Sequence, residues 1–524
     1  MVRRQFFSTL LPRRRFLRVL GASLAAFTLA VSAQPRPARP KLVLAIMVDQ
    51  FRYDYLTRFG AEYTGGLKKL MAEGANFTNA RYAHAATVTA VGHSTFLTGA
   101  TPANSGIIGN EWYDVDSGAT VTSVSDGRTR LVGGPGAGSS PRRLLTSTIG
   151  DELKILNKDT KVIGVSLKDR SAILPVGHAA DAAYWFDVTS GNFVTSNYYV
   201  PALPGWVDEF NKARPADKYA GQEWMKHKNP PNAAPALYNE LESTPGGNEL
   251  IQQFALKALA SEKLGTTAGR TDLLAVSYSS NDYVGHRYGP DSEEAHDMAL
   301  RVDKQIGELI SAAEAQAGAG NVVVVLSADH GVAPVPEENR RRKLPGGRAD
   351  REFTQTALEL VLQAKFGGTK WISYIGEAGV YLNEATAANA KVPMEQVEEV
   401  AASTLRQLPH VYRVYTKTQL MNGNFATDEV GTRVRNSFNQ ARSANVTVIL
   451  EPYWIYSNAT TGTTHGTPFD YDTHVPVIFW GAGIKGGRYN GAIAPNDIAP
   501  TLATLLDIQT PSGSAGRALA DILK

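Results

Sequence analysis

Apolar residues fall into two alternating patterns along the chain. Five short runs are almost wholly apolar and rich in β-branched residues: 41–48 (KLVLAIMV), 161–166 (KVIGVS), 272–278 (DLLAVSY), 321–327 (NVVVVLS) and 475–480 (VPVIFW). Such runs predict buried strands of a parallel sheet, covered on both faces. Between them the spacing turns helical. Residues 64–73 (TGGLKKLMAE) are periodic, and 292–313 (SEEAHDMALRVDKQIGELISAA) reads as a long amphipathic helix with acids in its first turn. The alternation predicts an α/β fold with a doubly wound, mostly parallel central sheet and helices on both faces. Two stretches break it. Residues 190–245, rich in Pro, Asn, Gly and aromatics, read as a loop-rich cap whose aromatics cover a small core of their own. Residues 346–425 carry patterns at 353–365, 378–382, 394–407 and 411–416 and read as a small α+β insertion. The core is then expected in three pieces, 41–189, 246–345 and 426–524.

The first apolar run is of another kind. Arg13-Arg14-Arg15-Phe16-Leu17-Arg18 precedes apolar residues 19–31, and Val31-Ser32-Ala33 offers a small-residue cleavage site. Residues 1–33 read as a twin-arginine export signal, with a Pro-rich linker over 34–40, which implies a periplasmic or secreted protein. The competing reading is a membrane anchor, but the run is short of the ~20 residues that span a bilayer.

Composition narrows the choice. Hydrophobic residues are 43% and charged residues 20% of 524, a globular mixture. Lys+Arg exceed Asp+Glu by 53 to 50, yet residues 1–33 hold six arginines and no acid, leaving 47 against 50 in the rest. A nucleic-acid platform is therefore not expected. The absence of cysteine excludes disulfides, thiolate metal sites, a cysteine nucleophile and a sulfatase nucleophile made from cysteine.

Ligands of open α/β sheets sit beyond the carboxyl ends of the strands. Here the run 41–48 leads into Asp49, 272–278 into Asp282 and His286, 321–327 into Asp329-His330, and 161–166 into Lys168 and Arg170. Each alone has an ordinary explanation: a helix cap, a surface pair four residues apart, a turn, a solvated loop pair. Carboxylates and imidazoles at three strand ends together suit zinc. Thr89 opens a helical stretch, where its hydroxyl is either a plain N-cap or an anion-facing group at the positive end of the helix dipole. His465 lies in a Gly/Thr-rich loop before the last run. His474, nine residues on, competes with it as a ligand. The basic run Arg340–Lys343 reads as a solvated loop, and His84, His93, His178 and His296 as structural positions.

In combination, VDQFRYDYL, TVTAVGHSTFLTGATPANSGIIGN, SLKDRSAILPVGHAADAAYW, SNDYVGHRYGP, SADHG and HGTPFDYDTHVPVIFWG resemble the alkaline phosphatase superfamily. Within it the pattern is most similar to the single-threonine alkaline phosphatases of the PhoK/PafA type, in the type I phosphodiesterase/nucleotide pyrophosphatase group. The resemblance implies a monomeric hydrolase of small phosphate monoesters with two zinc ions. One would be held by Asp282, His286 and His465, the other by Asp49, Asp329, His330 and the Thr89 oxygen. It implies Thr89 as nucleophile, with Asn110, Lys168 and Arg170 on the phosphoryl oxygens. The diesterase relatives typically lack this Lys/Arg pair and use an apolar pocket for the second ester group, which favours a monoesterase; a phosphodiesterase or nucleotide pyrophosphatase of the same fold is the alternative. Some relatives also use calcium, although no EF-hand-like loop is evident.

Overall fold

The structure, a computed structural model, describes residues 39–524. The export signal over 1–33 and most of the linker lie outside the described residues. Eleven strands form the main sheet, in the spatial order Gly487–Tyr489, Ala75–Phe77, Val477–Gly481, Val322–Ser327, Leu42–Val48, Asp272–Tyr278, Val162–Ser166, Ala182–Asp187, Asn192–Ser196, Ser125–Val132 and Ala137–Ser139. The five strands from Val322–Ser327 to Ala182–Asp187 are mutually parallel. Beyond each end of that block the next strand is antiparallel.

Side-chain alternation assigns the two faces. Leu42, Leu44, Ile46 and Val48 point into one core with helices Pro245–Ser261 and Glu293–Ala317. Val43, Ala45 and Met47 point into the other, with helices Thr89–Thr98 and Ile498–Leu506. Each of these Leu, Ile, Val and Met side chains, fully buried, contributes about 1.5–3 kcal/mol. The long helix begins where its acids suggest, with the Ser292 side chain accepting from the Ala295 N–H.

Three expectations need correction. The run at 475–480 was expected to be parallel, but Val477–Gly481 pairs antiparallel with Val322–Ser327. An all-apolar run reports burial on both faces and carries no information about direction. Within the stretch read as a cap, Asn192–Ser196 is a strand of the main sheet. Its aromatics belong to the main core: Phe193 stacks on Phe254 at 4.0 Å, and Trp206 and Tyr184 pack on the same ring. The insertion also runs past 425. Its four-stranded sheet, in the order Ile372–Gly376, Gly379–Leu382, Val446–Leu450 and Val411–Thr416, takes an inner strand from residues expected in the core. It packs its own core with helices Arg351–Phe366 and Met394–Leu405.

Register levels the strand ends. Met47 lies beside both Ser277 and Ser327, and Val276 beside Val165. Residues following four adjacent strands therefore emerge together at one edge.

Candidate active site

Asp49, Asp282, Asp329, His330 and Lys168 converge at that edge and are buried there. Helix Ser280–Tyr288 carries Asp282 and His286 one turn apart, with His286 Nε2 3.2 Å from Asp282 Oδ1. His465 comes in on its loop, its Nε2 3.2 Å from His286 Nε2 and 3.6 Å from Asp282 Oδ1. On the other side, His330 Nε2 is 3.3 Å from Asp329 Oδ2 and 3.6 Å from Asp49 Oδ1. Asp282–His286–His465 and Asp49–Asp282–His330 each offer donor atoms close enough to share one cation.

The imidazoles are oriented for this. Nδ1 of His286, His465 and His330 lies 2.8–2.9 Å from the carbonyl oxygens of Thr463, Thr87 and Gly331, respectively. A carbonyl can only accept, so each Nδ1 carries the proton and each Nε2 turns a lone pair inward. Asp49 Oδ1, Asp329 Oδ2 and His330 Nε2 are buried without a hydrogen-bond partner. Burial, and then the charge of Asp49, drive Asp329 well above the usual carboxylate range. Burial pushes His330 down to about 3, so it stays neutral. Orphaned acceptors and converging lone pairs are costly unless a cation answers them, and this donor set fits a divalent metal. The cation the chain itself supplies is Lys168, whose Nζ is 2.7 Å from Asp49 Oδ2 and 2.6 Å from Asp282 Oδ2. Burial would lower Lys168, but Asp282 and Asp49 hold it well above its ordinary value. Burial would likewise raise Asp282, yet Lys168 and the imidazoles keep it well below the usual range.

Thr89 is the first residue of its helix and is buried; Val88, not Thr89, occupies the N-cap. The capping is done by Asn110, whose Oδ1 accepts from the Ala90 N–H at 2.9 Å. That leaves the Asn110 amide as the group able to donate to a ligand. Gly92 explains how close this helix comes to the ligand loop: a Cβ there would stand 2.2 Å from the Asp329 carbonyl oxygen. The Nε of Arg170, beside the cluster, is buried and without a partner.

Sequence reasoning missed several parts. Gln50, at φ 57°, donates from its backbone to Asp329 Oδ1 and from Nε2 to Asp282 Oδ1, tying both clusters together. His93, expected to be merely structural, sits inside the site. Its Nε2 bonds Ser277 Oγ at 2.7 Å, and its Nδ1 lies 2.9 Å from the Thr89 carbonyl and 3.2 Å from Asp329 Oδ2. Its place in the helical Thr-x3-His spacing was the available signal. Glu377, from the insertion, accepts from the Asn110 N–H at 3.4 Å, and nothing local in the sequence announces that contact. His474 points elsewhere, bonding the Thr78 carbonyl and stacking on Tyr53. Arg340 and Arg341 end a short helix, and with Arg342 they are paired with Glu337, Glu338 and Asp291.

A family model for type I phosphodiesterase / nucleotide pyrophosphatase matches residues 43–472. The chain belongs to this family. It is 38% identical to the alkaline phosphatase PhoV of Synechococcus elongatus over 93% of this chain and 94% of that one. It is 35% identical to a Myroides odoratus protein named a calcium-transporting ATPase, over 97% and 99%. It is 34% identical to the alkaline phosphatase PafA of Elizabethkingia meningoseptica, over 98% and 100%. The crystal structure of PafA superposes with a TM-score of 0.86 at 33% identity, covering 93% of this chain and 99% of that one. A second PafA structure carries substitutions at a threonine, at an asparagine 21 residues later, and at a lysine and an arginine two residues apart.

Proposed function

We propose that this chain is a zinc-dependent alkaline phosphatase that hydrolyses phosphate monoesters through a phosphothreonine at Thr89. What carries the reading is the meeting of a helix-terminal threonine, two Asp/His donor clusters and a Lys/Arg pair at one sheet edge. Thr89 and Asn110 stand 21 residues apart and Lys168 and Arg170 two apart, the spacings within the two pairs altered in PafA. Asp282, His286 and His465 would hold one zinc, and Asp49, Asp329 and His330, with the Thr89 oxygen, the other. Bound zinc supplies Lewis acidity, easing ionisation of the threonine hydroxyl and neutralising charge on the departing oxygen.

The chain's own groups do the rest. Thr89 Oγ1 forms the bond to phosphorus as the ester P–O bond breaks, and its helix N-terminus favours the negative charge that gathers there. Water then cleaves the Thr89–phosphate bond and returns the hydroxyl. A monoester dianion has three non-bridging oxygens and about two charges. The Asn110 amide, the Lys168 ammonium and the Arg170 guanidinium match that count, whereas a diester offers two such oxygens and one charge. Because Lys168 reaches Asp49 and Asp282 at once, its ammonium already faces the space between the clusters.

Turnover of p-nitrophenyl phosphate against bis-p-nitrophenyl phosphate at alkaline pH is the test. Preference for the monoester is expected; preference for the diester would return the assignment to phosphodiesterase or nucleotide pyrophosphatase. Thr89→Ala should abolish turnover with zinc content retained, and full activity in that variant removes the nucleophile. Among the described residues no helix is long and apolar enough to cross a membrane. The twin-arginine pattern of residues 1–33 supports an exported enzyme.

A further inference from the structure

The geometry points to a leaving-group subsite with an apolar wall that favours phosphate monoesters whose alcohol bears a hydrocarbon group. The inference rests on the phosphatase reading above. A cavity of about 160 Å³ lies between the His465 loop, the residues preceding Thr89 and the sheet of the insertion. Val88, which precedes Thr89, and His465 both line it, so it adjoins the candidate active site. In an in-line displacement the departing oxygen leaves on the side away from the nucleophile. Here that side is the Asp282–His286–His465 cluster, and the alcohol departing past His465 enters this cavity. One wall is apolar, formed by Ile108, Ile375, Val448, Leu450 and Trp454, while Thr354, Tyr456, Thr464 and Thr467 add hydroxyls. A void of ~150 Å³ accommodates a benzene ring, so a group of about six carbons fits. Charge is confined to Glu377 and Arg351.

The experiment compares n-hexyl phosphate with ethyl phosphate on the zinc-loaded enzyme. Both release primary alcohols of similar basicity, so intrinsic reactivity is matched. Each added methylene that enters the cleft should raise kcat/KM by up to about fourfold, and at least tenfold is expected across the pair. Val448→Phe fills the cleft and should remove that gain while ethyl phosphate turnover stays unchanged. Val448→Thr keeps the volume, adds a hydroxyl and should shrink the gain. Equal kcat/KM for the two esters, or an equal fall for both in the variants, overturns the subsite. If neither ester is hydrolysed, the phosphatase reading fails instead, and calorimetric binding of n-hexylphosphonate against ethylphosphonate still judges the cleft. Tighter binding of the hexyl compound supports it, and equal binding ends it.

Discussion

Asp126 and Asp329 are both buried aspartates, and the chain treats them in opposite ways. In the antiparallel wing, Asp126 accepts from the Arg128 backbone and Nε, Ser140 Oγ and Arg142 Nη1, all within 3.1 Å. Burial works against it, but these donors hold it down at about 2. At the parallel strand ends, Asp329 Oδ2 has no hydrogen-bond partner, and burial, then the nearby Asp49, drives the carboxyl upward. One region answers a buried charge from its own side chains. The other leaves Asp329 Oδ2, Asp49 Oδ1 and His330 Nε2 without hydrogen-bond partners, at a cost to stability that function explains.

The strongest way to break this contrast is Asp329→Ala. We expect kcat/KM for p-nitrophenyl phosphate to fall roughly 10³-fold, with a loss of bound zinc measured by mass spectrometry. Near-normal activity and metal content would mean that Asp329 is only a misfit. A sharper comparison sets His465→Ala beside His474→Ala. The first should cost roughly 10²-fold in kcat/KM and weaken zinc binding. The second, which loses a carbonyl contact and a stacked ring, should stay within about threefold; reversed magnitudes would exchange their roles. The smallest effect belongs to Asp126→Asn. Its folded-state value lies below the unfolded ~3.9, so its stabilisation is complete above about pH 4 and is lost as pH falls towards 2. Urea unfolding should show a deficit of about 1 kcal/mol at pH 7 that shrinks at pH 3. A deficit independent of pH would rule out the charge as its source.

The same contrast explains what was legible in the sequence. Asp49, Asp282 and Asp329-His330 stand out because each follows an apolar run, and parallel strands bring their carboxyl ends to one edge. Lys168 and Arg170 were found in the same way. His465 needed the family motif, since a histidine in an irregular loop has no periodicity to betray it. Gln50 and Glu377 were invisible for a different reason. Gln50 acts through a left-handed backbone turn, and Glu377 reaches Asn110 from 267 residues away. The Val446–Leu450 strand was missed because its burial does not alternate cleanly. The direction of Val477–Gly481 was missed because hydrophobicity has no arrow.

The ammonium of Lys168 between Asp49 and Asp282 bears on how neighbouring strand ends stay together. Asp49 and Asp282 follow two adjacent strands, and two carboxylates brought this close would push those ends apart. One lysine from a third strand end bridges both, so mutual repulsion becomes a shared attachment.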